Sequence, residues 1–218
     1  TESNEAFLDK LLSVPVTIDE WQCQRQIYFN SKKYSLEYGF AAFFLNRTNH
    51  SGILASGPIG GQKQEEWKLD VRFNKEDLAS KIRAIGELKQ QIKVFGRDVK
   101  CFIRNQLPKI GDNAFVYFDP PYYRRGKVLY KNFFTDKLHK ELHDSIVNNV
   151  IAPWVVSYDD VAEVRKIYSG LPVKSFSLSY SLANNGKGRE VMFFKEDSLV
   201  PTREEILSLG LNRIFDDR

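Results

Sequence analysis

The sequence predicts an α/β fold with a mostly parallel sheet. In the second half of the chain, short apolar runs alternate with helical patterns, and this order is typical of strands covered on both faces by helices. A supply of 42% hydrophobic residues in a chain of 218 is enough for a buried core, which excludes intrinsic disorder. The predicted strands are residues 92–95, 114–118, 154–157, 173–179 and 191–194, and helices are predicted near 136–150 and 160–168.

The first half of the chain is predicted to be helical with one β-hairpin. Thr17 and Glu20 have the spacing of a helix capping box, and Asn74 precedes apolar residues that recur at helical intervals. An aromatic helix is predicted over 34–48, with Phe40, Phe43 and Phe44 in the core. Polar and apolar residues alternate over 67–73, which predicts a strand pairing with another near 52–54.

These patterns divide the chain into residues 1–90, a helical and hairpin region, and residues 91–218, which carry the sheet. A last helix is predicted after Thr202, where Glu205 completes a second capping box.

The net charge of +4 favours a polyanionic partner without establishing one. Cys23 and Cys101 lie far apart without a metal-binding motif, so we expect reduced thiols in the cytoplasm. No apolar run is long enough for a membrane helix.

The most informative segment is Asp119-Pro120-Pro121-Tyr122, which follows the predicted strand 114–118. In an open parallel sheet, ligands bind beyond the carboxyl ends of the strands. The Asp119 carboxylate and the Pro120 carbonyl are two acceptors next to the rings of Tyr122 and Tyr123. Two acceptors beside a stacking ring suit the exocyclic amine of a planar base, and chemistry on that amine requires the base to leave a duplex. The alternative is a turn that only ends a strand.

Other segments stand in a specific order around this motif. They are Phe-Phe-Leu-Asn-Arg-Thr at 43–48, Ser-Gly-Ile at 51–53, Gly-Pro-Ile-Gly-Gly at 57–61, Asp-Val-Arg-Phe at 70–73, Val-Phe-Gly-Arg-Asp at 94–98, Trp-Val-Val-Ser-Tyr-Asp at 154–159 and Tyr-Ser at 180–181. With this order the chain resembles the Dam-like adenine-N6 DNA methyltransferases, which use S-adenosylmethionine. The resemblance extends from about residue 40 to residue 194.

The resemblance implies both a fold and a set of roles. The fold would be an incomplete Rossmann-like methyltransferase sheet, with residues 1–90 as the inserted target-recognition region. Asp119 and Pro120 would hold the N6 amine of a flipped adenine in duplex DNA, with Pro121 shaping the turn and Tyr122 stacking on the base. The cofactor would contact Asp98, Val99 and Asp119.

The family's Phe-x-Gly-x-Gly cofactor loop cannot be placed in this sequence. We therefore expect the segment that completes the sheet to lie upstream or on a second chain. Two further interpretations remain open: a methyltransferase-derived DNA-binding protein or half of a split enzyme without activity of its own, and a methyltransferase for RNA or protein. The recognition sequence and the biological role (restriction–modification, phage-encoded or housekeeping) also remain open.

Several polar and cationic residues are candidate DNA contacts, although any one of them is more often a solvated charge. His139 and His143 are four residues apart but lack the order of a zinc helix, so we predict a surface helix face and no metal. We expect the protein to be cytoplasmic and associated with the nucleoid. The candidate DNA contacts are Asn46, Arg47, Lys63, Arg72, Arg124, Arg125, Lys127 and Lys187.

Overall fold

A computed structural model describes residues 4–64, 68–111, 113–124, 134–179 and 187–210, without the side chains of residues 178, 179 and 187. The chain forms two compact units, Thr1–Phe95 and Gly96–Arg218. Their boundary lies five residues beyond the division at 90/91 that the sequence suggests. Each unit has its own hydrophobic core among the described residues.

The first unit is helical in its described part. Thr17, Ser35 and Asn74 each accept a backbone N–H as helix N-caps, so local sequence sets where α2, α3 and α4 begin. Its α-helices are α1 (Asn4–Ser13), α2 (Ile18–Asn30), α3 (Leu36–Thr48) and α4 (Lys75–Glu87), with 3₁₀ turns at His50–Gly52 and Leu69–Arg72.

Aromatic rings fill the core of this unit. Phe40 and Phe44 are buried on α3, as predicted, and Phe43 packs against the same cluster. The Phe7 ring lies 5.3 Å from the rings of both Phe40 and Phe43 in edge-to-face geometry. The indole Nε1 of the buried Trp21 donates to Asn49 Oδ1 at 2.6 Å, which satisfies the polar atom inside the core.

The predicted hairpin is wrong for the described residues. Residues 50–52 and 69–72 form 3₁₀ turns, and the bridge between Asn49 and Pro58 is isolated. Leu69 and Phe73 are both buried while Val71 is 53% exposed. A helical turn brings residues four apart to one face, so the same apolar spacing fits a helical turn as well as a strand. Trp67 lies outside the described residues.

The second unit contains four strands and four α-helices among its described residues. One helix lies in each of the first two connections between strands, and the other two lie before the first strand and after the last, so the mixed α/β class is confirmed. The elements are α5 (Val99–Asn105), β1 (Val116–Phe118), α6 (Asp136–Asn149), β2 (Trp154–Asp159), α7 (Ala162–Ile167), β3 (Val173–Ser179), β4 (Lys187–Phe194) and α8 (Arg203–Ser208). Single 3₁₀ turns occur at Leu107–Lys109 and Asp197–Leu199.

The strand order is β1-β2-β4-β3. Only β1 and β2 pair in parallel, whereas β2 with β4 and β3 with β4 are antiparallel. The described sheet is therefore mostly antiparallel, and the predicted mostly parallel, Rossmann-like arrangement is not confirmed. Continuous apolar strands indicate burial on both faces but do not report direction. The predicted strand at residues 92–95 is wrong: these residues form no strand, no described strand pairs with them, and Val94 is 88% exposed.

Helices α5, α6 and α7 bury one face of the sheet. Ile103, Ile146 and Val164 pack with Trp154 and Val156 in a single buried cluster. Because β1 and β2 run in parallel with Phe118 opposite Val156, their carboxyl ends lie side by side. The residues that follow β1 therefore meet the last residues of β2.

Candidate active site

Asp119 is the first residue beyond β1, and its side chain is exposed between the buried Phe118 and Pro120. Its Oδ1 lies 3.4 Å from the hydroxyl of Ser157 on β2, and this hydroxyl lies 2.7 Å from the hydroxyl of Tyr117. Within the part of the chain that the structure describes, no ion pair engages the Asp119 carboxylate. The Asp119 carboxylate is therefore contacted by Ser157 at one oxygen and remains accessible to a ligand.

Residues 119–124, called the 119–124 turn below, are held by the end of β2. Asp159 Oδ1 accepts the backbone N–H of Tyr123 at 2.7 Å, and Asp159 Oδ2 accepts that of Arg124 at 3.0 Å. The two oxygens of one carboxylate thus bind two consecutive amides. Sequence reasoning missed this role, although an acid that ends the neighbouring parallel strand was a usable signal.

Tyr122, the residue predicted to stack on a base, is anchored through its hydroxyl. It donates to Oε1 of Glu190 at 2.6 Å. Glu190 lies on β4 opposite Asp159 and is only 6% exposed. The sequence carries no local signal for this contact, because the two residues are 68 positions apart.

The other side of the 119–124 turn packs on buried rings. The ring of Tyr123 lies 4.9 Å from that of His139, whose Nδ1 is 3.0 Å from the hydroxyl of Tyr158. His139 is 1% exposed, so its prediction as part of a surface face was wrong; His143 on the same helix bonds the exposed Asp144. Burial lowers the pKa of His139 and raises that of Tyr158, which favours the neutral form of both.

A cleft of about 400 Å³ opens next to Tyr123, and residues of α6 and α7 line the rest of it. It includes Lys140 and Lys166 as well as Asp136, Asp144 and Glu163, so neither sign of charge dominates. Its lining does not include Asp119 or Tyr122. The cleft is therefore separate from the acceptors of the Asp-Pro-Pro-Tyr motif.

Two of the three residues predicted to contact the cofactor, Asp98 and Val99, lie at the start of α5. Asp98 is the N-cap, and its Oδ1 accepts the N–H groups of Lys100 at 2.9 Å and Cys101 at 3.3 Å. Asp98 is exposed, so its second oxygen remains accessible. Val99 is the first helical residue, where a backbone N–H finds no acceptor within its own helix.

Of the predicted DNA contacts, Asn46 and Arg47 make hydrogen bonds within the first unit. Asn46 Nδ2 donates to the Gly52 carbonyl, and the Arg47 guanidinium donates twice to the Arg72 carbonyl, at 2.8 and 2.6 Å. Two effects lower the pKa of Arg47: the larger is desolvation by burial, and the smaller is repulsion from the positive charge of Arg72. Arg47 thus links α3 to the 69–72 turn.

Of the other candidate DNA contacts, Lys63 belongs to the first unit and Arg124 to the second. Lys63 is exposed, and the exposed Arg124 lies 3.7 Å from Glu163. Arg125, Lys127 and the side chain of Lys187 lie outside the described residues, so the structure does not place these predicted contacts. Within the second unit, the structure thus brings Asp119, Tyr122, Asp159 and Glu190 together.

Comparison with models of known protein families shows to which family the chain belongs. A family model described as D12 class N6 adenine-specific DNA methyltransferase matches residues 10–182. The chain belongs to this family. The match covers the Asp-Pro-Pro-Tyr motif and Asp159, whereas Glu190 lies beyond it. Among curated proteins, none matches this chain.

Membership of the D12 class makes the chain a relative of enzymes that methylate adenine in DNA, and the family normally uses S-adenosylmethionine. In the described ranges, no helix is long and apolar enough to cross a membrane. Nor does any group of three His, Cys, Asp or Glu side chains in those ranges have the placement to hold a metal ion.

Proposed function

We propose that this protein transfers a methyl group from S-adenosylmethionine to the N6 amine of an adenine flipped out of duplex DNA. The observation that carries the proposal is the Asp119 carboxylate, exposed at the carboxyl end of a strand and not engaged in an ion pair with any described residue. A carboxylate so placed can accept a hydrogen bond from an amine that approaches beyond the sheet. The family relationship supports adenine as the base.

The chemistry of the site follows from its acceptors. The Asp119 carboxylate and the Pro120 carbonyl would each accept one N–H of the amine, which reduces conjugation of the nitrogen lone pair with the ring. The ring of Tyr122 would lie against the base and hold its plane. Because the acceptors are fixed before the base arrives, they favour the transition state without reorganisation.

The residues at the start of α5 fit the adenine moiety of the cofactor. The accessible oxygen of Asp98 can accept from its amine, and the N–H of Val99 can donate to a neighbouring ring nitrogen. Asp119 lies in the same unit and is the third residue assigned to the cofactor. When bound, S-adenosylmethionine supplies an electrophilic methyl group. The chain's own residues position the nucleophile.

DNA is the proposed macromolecular partner. We assign recognition to the first unit, where Lys63 is exposed and Arg72 is partly exposed, and to Arg124 at the end of the 119–124 turn. Arg125, Lys127 and Lys187 remain candidates on the basis of sequence. A surplus of four positive charges favours binding to phosphates.

Expression of the complete natural gene in a host whose DNA lacks N6-methyladenine tests the proposal. We expect sequencing to detect N6-methyladenine at a defined DNA word. Asp119→Ala should reduce the methylation rate by roughly 100-fold or more, the scale of removing one fixed transition-state hydrogen bond. Asp197→Ala removes an exposed carboxylate remote in sequence from the motif and should leave the rate unchanged.

Three outcomes contradict the proposal. Near-normal methylation by a folded Asp119→Ala variant would remove this residue from the chemistry. DNA binding by the wild-type protein without any modified adenine would favour the alternative of a non-catalytic DNA-binding protein. Modified adenine in RNA but not in DNA would change the substrate class.

A further inference from the structure

We propose that Asp159 and Glu190 are positioning residues that hold the 119–124 turn in its reactive geometry. They form a pair, called the carboxylate clamp below, in which Asp159 holds the backbone of the turn and Glu190 holds the ring of Tyr122. This role rests on the proposed function, since it concerns the same adenine site. Neither carboxylate is assigned contact with the base.

The first half of the clamp fixes the backbone. Asp159 is the last residue of β2, and its two oxygens receive the N–H groups of Tyr123 and Arg124. Hydrogen bonds to a charged acceptor are about twice as strong as neutral ones. Two such bonds from consecutive amides fix the two peptide groups that join residues 122 to 124. The exit of the turn is thereby tied to the strand beside β1.

The second half of the clamp fixes a side chain. Tyr122 has its backbone next to the amide held by Asp159, and its hydroxyl is bound by Glu190. A tyrosine held at its backbone and at its hydroxyl has the long axis of its ring fixed, so the ring cannot swing out of the site by rotation about χ1. The ring would therefore be ready for stacking before a base arrives, which reduces the ordering cost of binding.

The cost of the arrangement favours a functional explanation. Glu190 is 94% buried, given its exposure of 6%, and burying a carboxylate carries a desolvation penalty that an apolar residue would avoid. Ending β1 does not require this penalty, because the two prolines already stop strand pairing. The carboxylate clamp holds the 119–124 turn in position, and in an active site a misplacement of about 1 Å costs roughly 100-fold in rate.

A neighbouring acid provides a matched control. Asp160 follows Asp159 directly, but its carboxylate binds Arg165 at 2.6 and 2.9 Å. Loss of this ion pair perturbs the end of the same strand without removing an acceptor from the turn. Asp160→Asn therefore separates general weakening of β2 from loss of the clamp.

Amide hydrogen exchange of the full-length protein tests the Asp159 half without requiring activity. In Asp159→Ala we expect the amides of Tyr123 and Arg124 to exchange roughly 10- to 100-fold faster, the scale for loss of a hydrogen bond to a charged group. Asp160→Asn should leave both amides unchanged. If Asp159→Ala fails to fold, Asp159→Asn keeps one acceptor oxygen and should deprotect one of the two amides. Unchanged exchange in folded Asp159 variants overturns this half.

Methylation of plasmid DNA free of N6-methyladenine tests the Glu190 half. Tyr122→Phe keeps the stacking ring but loses its anchor, so we expect kcat to fall about tenfold while KM for DNA changes by less than about twofold. Glu190→Ala should have the same effect, and Glu190→Gln, which retains an acceptor oxygen, should restore most of the rate. The double variant Glu190→Ala/Tyr122→Phe should lose less rate than the two single losses combined, because both single changes remove the same bond between Tyr122 and Glu190.

The results separate the two proposals. Wild-type kcat in Tyr122→Phe, or additive losses in the double variant, overturn the role of Glu190 while leaving methyltransferase activity intact. Absence of methylation by the wild-type protein overturns the proposed function and with it the positioning role. Even then, the exchange rates of the two amides decide whether Asp159 holds the turn.

Discussion

The three acids around the 119–124 turn show how position gives one chemical group different roles. Asp119 is exposed and open to a ligand, Asp159 binds two backbone amides, and Glu190 is buried against a tyrosine hydroxyl. Asp159 already accepts a hydrogen bond on each oxygen and Glu190 is only 6% exposed, so both are less accessible to a substrate than Asp119. Among these three, the exposed one is therefore the best candidate to meet an amine.

His139 should make stability depend on pH. Burial lowers its pKa below the ordinary 6.5, while the charges of Asp159 and Asp136 oppose the shift. The folded state therefore binds a proton less readily than the unfolded state. The contribution of neutral His139 is complete above pH 6.5 and is lost as the pH falls through that value toward the lower pKa of the folded state.

Urea unfolding at pH 8.0 and pH 5.5 measures this effect. Wild-type protein should lose more stability on acidification than His139→Gln, which cannot titrate there. His143→Gln alters a partly exposed histidine of the same helix and serves as the control. Equal pH dependence of wild type and His139→Gln would show that the buried imidazole does not contribute.

At the scale of elements, one residue of α5, its N-cap Asp98, is assigned two roles. Asp98 caps the helix with Oδ1, and we assign its second oxygen to the cofactor. Asp98→Ala should cost about 1 kcal/mol in stability because the cap is lost. Asp98→Asn should keep the cap, since asparagine is an equally good N-cap, but it places an amide donor where the cofactor's amine needs an acceptor.

Calorimetric titration with S-adenosylhomocysteine, together with thermal unfolding, separates the tasks. We expect Asp98→Asn to unfold as wild type does and to bind the probe about tenfold more weakly. Asp197→Asn, another exposed acid of the same unit, should change neither property. Wild-type affinity in Asp98→Asn would exclude Asp98 from the cofactor site and leave it as a cap alone.

Helices were more predictable from the sequence than strands, for a physical reason. Their starts depend on local caps: Asn74 begins α4, and Thr202 forms the predicted capping box with Glu205. A strand depends on a partner strand, and the two can be distant in sequence. The apolar residues of 92–95 resemble a strand, but no described strand pairs with them, and Ile92, Val94 and Phe95 are exposed.

The candidate site likewise has a local part that the sequence predicted and a long-range part that it did not. The Asp-Pro-Pro-Tyr motif could be found because its residues are contiguous. Asp159 and Glu190 join it across separations of 36 and 68 positions. These contacts depend on the parallel pairing of β1 with β2 and the antiparallel pairing of β2 with β4, and strand direction could not be derived from hydrophobicity.

At the scale of the molecule, the two units have separate cores and differ in architecture. The described part of Thr1–Phe95 is helical, whereas Gly96–Arg218 carries the sheet and the Asp-Pro-Pro-Tyr motif. A division of labour between DNA recognition and chemistry is therefore testable. It requires that a change confined to the chemical site leave DNA affinity intact.

Asp119→Ala provides that test through salt-dependent DNA binding. For wild type, the logarithm of the affinity for duplex DNA should fall linearly with the logarithm of salt concentration, because cationic side chains release counterions from the phosphates. Asp119→Ala should keep this slope and bind within about twofold of wild type, since the carboxylate makes no phosphate contact of the kind that controls affinity. Methylation should be lost in the same preparation. A variant that loses affinity as well as activity would place Asp119 in DNA binding, and the two roles could then no longer be assigned to separate units.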